Sequence, residues 1–352
     1  MPQPPVPSSS AFVALARDVK AEVDRRLEAF AADRVRWAEG IAPDVGAVAK
    51  ALFDVATRGG KRVRPAMIAA AAIACGGEAE GAVLDAGVAL EVLHAYLLVH
   101  DDWMDGDEVR RGGPSAHAAL RLHFGSRAGG DACAILAGDF GQAFAFEALA
   151  SIDAPADRVR AATVEVSRML AEVVAGQVLD VRAAPRAREE VEAMHRLKTS
   201  SYTTRTPLVL GAILAGASEA TREALRAAGD PLGVAFQLAD DVLGTFGDPA
   251  RTGKSARSDL RSGKRTALVA ELEDDRAAQQ LLPRVFGVED APDEEVDALV
   301  RRMVEAGAKS RVEARIAALL DESRARLARV ETSDEGRALL LGAVAALGAR
   351  EA

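Results

Sequence analysis

Apolar residues recur at intervals of three and four along almost the whole of this 352-residue chain. The stretch with Leu90, Leu93, Leu97 and Leu98 is typical, and this spacing places the side chains on one face of an α-helix. No stretch alternates β-branched and polar residues for long enough to form a sheet. Hydrophobic residues make up 49% of the chain but aromatic residues only 4%, so alanine, leucine and valine must dominate the core. The sequence therefore predicts an all-α protein.

Breaks in this helical pattern are short, and none resembles a linker between domains. The first ten residues, MPQPPVPSSS, contain neither a basic region nor an apolar run, which indicates a disordered tail rather than a signal peptide. We expect residues 11–352 to form a single domain, a bundle of roughly a dozen helices around a central cavity.

Charge and cysteine content exclude several classes of protein. The net charge of −9 and the pI of about 5.3 disfavour a general nucleic-acid binder, although a local basic pocket remains compatible with them. No apolar stretch reaches the roughly 20 residues that cross a membrane, which predicts a soluble protein. Cys75 and Cys133 lie among small apolar residues, which favours two buried free thiols in a reducing cytoplasm.

The first acidic segment is VHDDWMDGDEVRRGG, residues 99–113. Asp101 and Asp105 are four apart, so on a helix they share one face and repel each other. A solvated acidic helix end is the simplest interpretation of such a pair. Here, however, apolar residues precede the pair and Arg110 and Arg111 follow it, which favours Mg²⁺ bridging carboxylates to phosphate oxygens.

A second acidic segment begins with FQLADD, where Asp240 and Asp241 close another apolar helical run. Asp248 follows, and Lys254 and Lys264 lie in glycine-containing stretches farther along. Carboxylates flanked by cations in this way are typical of a site that binds a diphosphate through magnesium and through direct contacts.

A cationic element, RGGKRVRP, lies upstream of both acidic segments. Lys61, Arg62 and Arg64 follow two glycines that allow unusual backbone geometry. The simplest interpretation is a basic helix start, yet cations there oppose the helix dipole. A bound anion would remove that conflict.

These segments together resemble the trans-isoprenyl diphosphate synthases, also called polyprenyl synthetases. The matching motifs are GGKRVRP, DDWMD followed by RRG, FQLADD with GDPARTGK and DLRSGKRT, AGQVLD, and Lys198-Thr199. They cover about residues 40 to 270 and occur in the family's order. The resemblance implies the isoprenoid synthase fold, a homodimer and the use of three Mg²⁺ ions. It also implies ionisation of an allylic diphosphate, condensation with isopentenyl diphosphate, and elimination of a proton.

The resemblance also implies roles for individual residues of this chain. The metal ligands would be Asp101, Asp105, Asp240 and Asp241, with Asp102 in support. The allylic diphosphate would be held by Arg110, Lys198 and Lys254, and isopentenyl diphosphate by Lys61, Arg64, His94 and Arg111. The remaining substrate contacts and the reacting centre would involve Gln177, Thr199, Phe236, Gln237 and Lys264.

Two positions, His94 and Gly244, differ from the residues above. A lone histidine on an apolar helix is usually a packed core residue, but His94 lies seven residues before Asp101 on a similar face, which favours a ligand role. The four other histidines are expected to be structural.

The second motif departs from the family's DDxxD pattern because Gly244 stands where the last aspartate is expected. Asp248 or water could replace that carboxylate.

Product length depends in this family on residues one to two turns before the first aspartate. Tyr96, a bulky aromatic, lies five positions before Asp101, and the medium-sized Leu97 follows it. This predicts a short product, geranylgeranyl (C20) first and farnesyl (C15) second. Ordinary core packing is the alternative role for Tyr96.

Two other functions share some of these sequence features. A class I terpene cyclase also uses an aspartate-rich motif, but it would carry an Asn/Ser/Glu motif near residue 240 and would not need GGKRVRP. A non-catalytic regulatory subunit would typically lose the first aspartates or the RRG arginines, and this chain keeps both.

Overall fold

The computed structural model describes residues 9–181, 187–247 and 257–348, apart from the side chain of Ser258. In chain order the helices are α1 (Ser10–Glu39), α2 (Pro43–Thr57), α3 (Val63–Ala74), α4 (Ala82–Asp105), α5 (Ala116–Phe124), α6 (Arg127–Ala150), α7 (Ala156–Val181), α8 (Arg188–His195), α9 (Thr206–Ala215), α10 (Glu219–Phe246), α11 (Ser258–Arg261), α12 (Ala267–Ala270), α13 (Arg276–Val285), α14 (Asp293–Glu305), α15 (Ala308–Leu327) and α16 (Asp334–Gly348). A π-helical segment, Arg196–Arg205, joins α8 to α9 without a break.

The predicted all-α fold is confirmed. Within the described ranges the only strands are β1 (Val109–Arg110) and β2 (Gly113–Pro114), a two-residue antiparallel hairpin. Asp248, Lys254 and most of the predicted tail lie outside the described residues.

Two hydrophobic clusters form the core. One surrounds α4 and α6, and the other surrounds α10 and α15. Helices α3 and α9 join them: Ile68 and Leu210 belong to the first cluster, whereas Met67 and Leu208 belong to the second. Neighbouring residues on a helix point in different directions, so these two helices can serve both clusters at once.

Two helices correct the expectation that no segment is long enough for a membrane. By length and composition, α4 and α6 could each cross one. The polar residues of α4 are spaced so widely that an 18-residue window still has a mean hydropathy of 1.7. That window is 78% buried inside the protein, compared with 39% for α6, and a buried core helix satisfies the same criteria.

Helix α10 continues through a proline, which matters because its last turns carry the second acidic segment. Pro231 has no N–H to donate, so the carbonyl of Ala227 loses its partner within the helix. The guanidinium of Arg326 donates to that carbonyl, and Ser323 Oγ donates to the next one, Ala228 O, at 2.9 Å. Helix α15 thereby keeps α10 intact as far as Phe246.

The π-helical segment has a cause in its own sequence, RLKTSSYTTR. Threonine and serine are weak α-helix formers, and their hydroxyls compete for backbone carbonyls. Ser201 Oγ donates to Leu197 O at 2.6 Å, and Thr204 Oγ1 donates to Ser200 O at 3.2 Å. The wider turn also relieves the clash that Pro207, just beyond the segment, would cause in a tight helix.

Candidate active site

Two cavities meet in the middle of the bundle. A polar cavity of about 350 Å³ is lined by Lys61, Arg64, Glu91, His94, Arg111, Thr199, Phe236, Gln237 and Asp240, among others. An apolar cavity of about 480 Å³ is lined mainly by α4 and α7 and has Asp101, Gln177 and Lys198 at its border. Tyr202 lines both cavities, so one side chain separates them.

The first acidic segment lies at the C-terminal end of α4. Asp101 and Asp105 are one turn apart, and Lys198 Nζ donates to Asp101 Oδ1 at 3.2 Å and to Asp180 Oδ2 at 2.5 Å. Burial lowers the pKa of Lys198, but Asp101 and Asp180 outweigh this effect and raise it. The surrounding protein limits hydration of the Asp105 carboxylate, and with the repulsion of Asp101 this raises its pKa to about 6. Lys198 thus offsets only part of the repulsion that Asp101 exerts on Asp105.

Asp102 has a different environment from its neighbour Asp101. Its residue is 0% exposed, and Arg110 Nε donates to its Oδ1 at 2.8 Å. The β1–β2 hairpin sets this contact, because Arg111 and Gly112 take the positive φ values of 52° and 73° that a tight two-residue hairpin turn requires. Asp102 therefore orients Arg110.

The two adjacent aspartates of the second acidic segment also differ in their surroundings. Asp240 lines the polar cavity, whereas Asp241 is only 1% exposed. Gln237 Nε2 donates to Asp241 Oδ1 at 2.9 Å, and His195 Nε2 lies 3.4 Å from Asp241 Oδ2. Burial raises the pKa of Asp241 to about 6 and lowers that of His195 to about 3. His195, expected to be a plain core residue, thus contacts a predicted metal ligand.

Lys264 connects the second segment to the first by charge. Limited hydration lowers its pKa, but Asp241 and Asp259, with smaller contributions from Asp180 and Asp101, more than offset this and raise it. Its Nζ lies 4.0 Å from Asp259 Oδ2. The predicted cation therefore interacts with carboxylates from four helices, α4, α7, α10 and α11.

The cationic element is held by a buried arginine. Arg62 takes a left-handed φ of 48° and is 3% exposed. It donates to Glu91 Oε2 at 2.5 Å, to Asp24 Oδ1 at 2.6 Å and to Ala56 O at 2.9 Å. Glu91 lies one turn before His94 on α4. Arg62 thus fastens the loop to the helix that carries a predicted ligand.

Four of the predicted binding residues converge on the polar cavity. Lys61, Arg64, His94 and Arg111 all line it. Arg64 Nε and His94 Nδ1 are buried without a hydrogen-bond partner. Burial lowers the pKa of His94, and Arg64 and Arg111 lower it further. Such a concentration of positive charge with unused donors fits a small anion with several oxygens.

The wall between the cavities is aromatic. The guanidinium carbon of Arg64 lies 4.3 Å from the centre of the Tyr202 ring, and the ring centres of His94 and Tyr202 are 5.8 Å apart. An aromatic face attracts positive charge. Tyr202 follows Lys198 by one turn, and the sequence analysis did not identify it.

Glycines allow the wide π-helical segment to fit between its neighbours. A Cβ atom at Gly176 of α7 would overlap the backbone of Lys198, and one at Gly233 of α10 would overlap Ser200. Thr199, on the same segment, donates its hydroxyl to Gln237 Oε1 at 3.0 Å. Backbone-to-backbone contact on both sides therefore fixes where Lys198 and Thr199 stand.

The apolar cavity includes both residues predicted to limit product length. Tyr96 and Leu97 line it, and Tyr96 is 8% exposed. Gly141 of α6 lies against Tyr96, because a Cβ atom there would be 2.8 Å from Tyr96 Cβ. The tyrosine is therefore closely backed by α6.

The donors at both helix ends suit magnesium. They are carboxylate oxygens, and two of them, Asp102 Oδ2 and Asp241 Oδ2, are buried without a hydrogen-bond partner. Across residues 9–181, 187–247 and 257–348, no three His, Cys, Asp or Glu side chains lie close enough together to hold a cation alone. Magnesium commonly uses one or two carboxylates together with substrate phosphates, and this donor set fits that mode.

Several of these residues were absent from the sequence prediction although a signal existed. Asp180 and Asp259 stand inside the quoted motifs AGQVLD and DLRSGKRT. Glu91 precedes His94 by three residues on the same helix face. The burial of Arg62 carried no local signal, since it depends on contacts with Asp24 and Glu91, both distant in sequence.

Comparison with known proteins agrees with this geometry. Residues 46–303 match the family model described as polyprenyl synthetase. A farnesyl diphosphate synthase of Mycobacterium tuberculosis is 42% identical over 210 residues, which are 59% of this chain and 55% of that protein. The chain thus aligns with little more than half of that relative's length. A geranylgeranyl diphosphate synthase of Methanosarcina mazei is 35% identical over 271 residues, covering 76% of this chain and 79% of that protein.

Solved structures extend the likeness to the whole fold. A geranylgeranyl pyrophosphate synthase from Corynebacterium glutamicum, complexed with isoprenyl diphosphate and magnesium, superposes with a TM-score of 0.87 at 32% identity. The match covers 95% of this chain and 99% of that one. A polyprenyl synthase from Caulobacter crescentus, complexed with calcium and isoprenyl diphosphate, gives a TM-score of 0.80 at 28% identity, covering 99% and 100% of the two chains.

Proposed function

Because the chain belongs to the polyprenyl synthetase family, we propose that it is a magnesium-dependent prenyltransferase that joins isopentenyl diphosphate to an allylic diphosphate. Its product would be a short all-trans polyprenyl diphosphate. One observation carries this proposal: a cationic cavity, two acidic helix ends and an apolar cavity all meet at Tyr202. A reaction between two diphosphates that builds an apolar chain requires this combination.

Isopentenyl diphosphate is assigned to the polar cavity. Lys61, Arg64, His94 and Arg111 line it, and the unused Nε of Arg64 and Nδ1 of His94 are available to phosphate oxygens. The clamp between Arg62 and Glu91 holds these groups in place before substrate arrives.

The allylic diphosphate is assigned to the space between the two acidic helix ends. Asp101, Asp105 and Asp240 would hold magnesium, which when bound neutralises the leaving diphosphate. Three ions remain a family expectation. Arg110 and Lys198 would bind phosphate oxygens directly, Lys254 is proposed on the resemblance alone, and Lys264 supports the charge balance. The buried Asp102 and Asp241 are better suited to orienting Arg110 and Gln237 than to direct contact.

The chain's own residues then account for each step. Lys198 and Arg110 stabilise the charge on the departing diphosphate as the allylic C–O bond breaks. Thr199, Phe236, Gln237 and Gln177 surround the reacting carbons, and the ring of Tyr202 offers its face to the allylic cation. The isopentenyl double bond attacks that cation, and the released diphosphate accepts the proton that is lost.

The apolar cavity would receive the growing chain, and Tyr96 would limit its length. We expect geranylgeranyl diphosphate as the first candidate product and farnesyl diphosphate as the second. The change Tyr96→Ala should lengthen the product, which chromatography of the dephosphorylated alcohols would measure. An unchanged distribution would leave Tyr96 as core packing only.

The direct test supplies the purified chain with Mg²⁺, isopentenyl diphosphate and, in turn, dimethylallyl, geranyl and farnesyl diphosphate. A discrete polyprenyl diphosphate supports the synthase. No elongation by folded protein would point to a regulatory subunit, and a cyclised hydrocarbon would point to a terpene cyclase.

We also propose that the protein forms a homodimer in the cytoplasm. Helix α6 supports the interface, because Ile135 and Leu136 expose 37% and 55% of their surface within the predicted Ala132–Leu149 region. Cys75 and Cys133 are free and half-buried, which suits a reducing compartment. Light scattering would measure the mass in solution.

A further inference from the structure

The β1–β2 hairpin and the loop between α2 and α3 are joined by two arginines, one from each side. Arg111, in the turn of the hairpin, donates to Gly59 O at 2.9 Å and to Val55 O at 3.3 Å. Arg58, at the end of α2, donates to Pro114 O at 2.6 Å. Each side thus supplies one guanidinium that binds backbone carbonyls of the other side.

Arg111 stands among like charges. Limited hydration lowers its pKa, although Glu91 acts to raise it. Three other cations lower it further, namely Arg62, Arg64 and Arg110. Such repulsion favours movement of the guanidinium into the solvent unless hydrogen bonds hold it. Its two bonds to backbone carbonyls supply that hold, and they exist only while the hairpin lies beside the loop.

Arg58 can keep the hairpin in place while Arg111 binds a phosphate, because Arg58 itself borders neither of the two cavities. Its side chain is 25% exposed and packs directly on Gly113. A Cβ atom built on that glycine would lie 2.5 Å from Arg58 Nη1 and 2.7 Å from its Cζ. The same Nη1 lies 3.5 Å from Arg110 O, so one guanidinium spans the two ends of the hairpin.

We propose that Arg58 is a positioning residue, which holds the hairpin against the loop so that Arg111 stands ready for isopentenyl diphosphate. This inference rests on the proposed function. Arg58 precedes the motif GGKRVRP, so the resemblance gives it no role. Arg110, the other arginine of the hairpin, has separate support because it donates to Asp102. Loss of Arg58 should therefore disturb the isopentenyl site and leave the allylic site nearly intact.

The test disrupts this contact from both sides. Arg58→Ala removes the guanidinium, and Gly113→Ala displaces it with a methyl group at a residue whose φ is not positive. Arg58→Lys keeps the charge and can still donate to one carbonyl. Lys50→Ala is the matched control, since it removes a cation of α2 whose bonds go to Asp54 and not to the hairpin.

Three measurements are made on each variant. Initial rates give kcat and the KM of each substrate. Calorimetry with isopentenyl diphosphate alone gives its Kd without turnover, and thermal unfolding gives Tm.

We expect Arg58→Ala to raise the KM and the Kd of isopentenyl diphosphate by about tenfold, with the KM of the allylic diphosphate within about twofold of the native value. Gly113→Ala should have a similar effect. Combined with Arg58→Ala it should add nothing, since the methyl group then has no guanidinium to displace. Arg58→Lys should recover part of the loss, and the Lys50 control should match the native chain.

Three outcomes would overturn the inference and leave Arg58 as a structural contact of the hairpin. They are equal changes in the KM of both substrates, a lower Tm with the KM and Kd of isopentenyl diphosphate unchanged, and fully additive effects of Arg58→Ala and Gly113→Ala. Should Arg58→Ala fail to fold, Arg58→Lys and Gly113→Ala provide the same comparison of the two substrates.

The native chain separates this inference from the proposed function. A native chain that binds isopentenyl diphosphate and elongates the allylic substrate, while the Arg58 and Gly113 variants behave like it, contradicts only the role of Arg58. A native chain that neither binds isopentenyl diphosphate nor forms product contradicts the proposed function and the inference with it.

Discussion

The ends of α4 and α10 each carry two adjacent aspartates, yet the two pairs have different surroundings. In each pair the first residue, Asp101 or Asp240, borders a cavity, and the second, Asp102 or Asp241, is buried. The buried Asp102 bonds a cation, Arg110, only eight residues away. The buried Asp241 contacts Gln237 and His195, which are neutral at ordinary pH.

This difference shows that a repeated motif fixes the direction of its side chains but not their charge balance. At the first helix end, Arg110 and Lys198 are already bound to the carboxylates. At the second, Lys264 acts over a longer distance and Asp259 adds negative charge. Asp101 and Asp102 at the first end therefore accept hydrogen bonds from cations, whereas Lys264 Nζ at the second end lies 4.0 Å from Asp259 Oδ2, beyond hydrogen-bond distance.

The largest expected effect concerns the two residues that border the cavities. Asp101→Asn removes both a proposed magnesium ligand and the partner of Lys198, so we expect kcat to fall by about a thousandfold. Asp240→Asn removes a proposed magnesium ligand but leaves the bond between Lys198 and Asp101 in place, and should cost about a hundredfold. Initial rates at saturating Mg²⁺ measure kcat for both variants. Equal losses of kcat would contradict the proposed difference between the two helix ends.

The buried members of the pairs should differ in stability. In the variant Asp102→Asn, Arg110 loses its main ionic partner, the carboxylate that helps to raise the pKa of Arg110 against the effect of burial. We expect the free energy of unfolding to fall by roughly 3 kcal/mol. Asp241→Asn should cost about 1 kcal/mol or less, because the amide oxygen can still accept the bond from Gln237. Urea titrations compare them. A greater loss in the Asp241 variant would reverse the comparison.

A smaller effect should follow from moving Lys198 without changing it. Gly176→Ala pushes the backbone of Lys198 and should reduce kcat on the order of tenfold, by disturbing its contact with Asp101. Gly211→Ala is the matched control, since its new methyl would overlap Ile68 O on α3, away from the site. Both variants should lose stability, and similar kcat values for the two would contradict a positioning role for Gly176.

Much of this arrangement could be predicted from the sequence, because residues on one helix face meet by periodicity alone. Asp101 and Asp105 are of that kind. The role of Arg62 could not be predicted, since its left-handed backbone and its bond to Glu91 depend on packing between distant helices. The π-helical segment was not predicted either, because the spacing of apolar residues gives no indication of it. Its serines and threonines were the available indication.

The unbroken course of the chain from α8 through Arg196–Arg205 into α9 also restricts how homologous sequences can vary in length. One residue inserted or deleted there would rotate α9 by roughly 100° about its axis relative to α8. Leu210 and Gly211 would then leave α3, or Lys198 would leave Asp101. Loops such as the one between Ala74 and Ala82 can absorb such a change. Alignments of homologues should therefore contain gaps in that loop and none between residues 196 and 215.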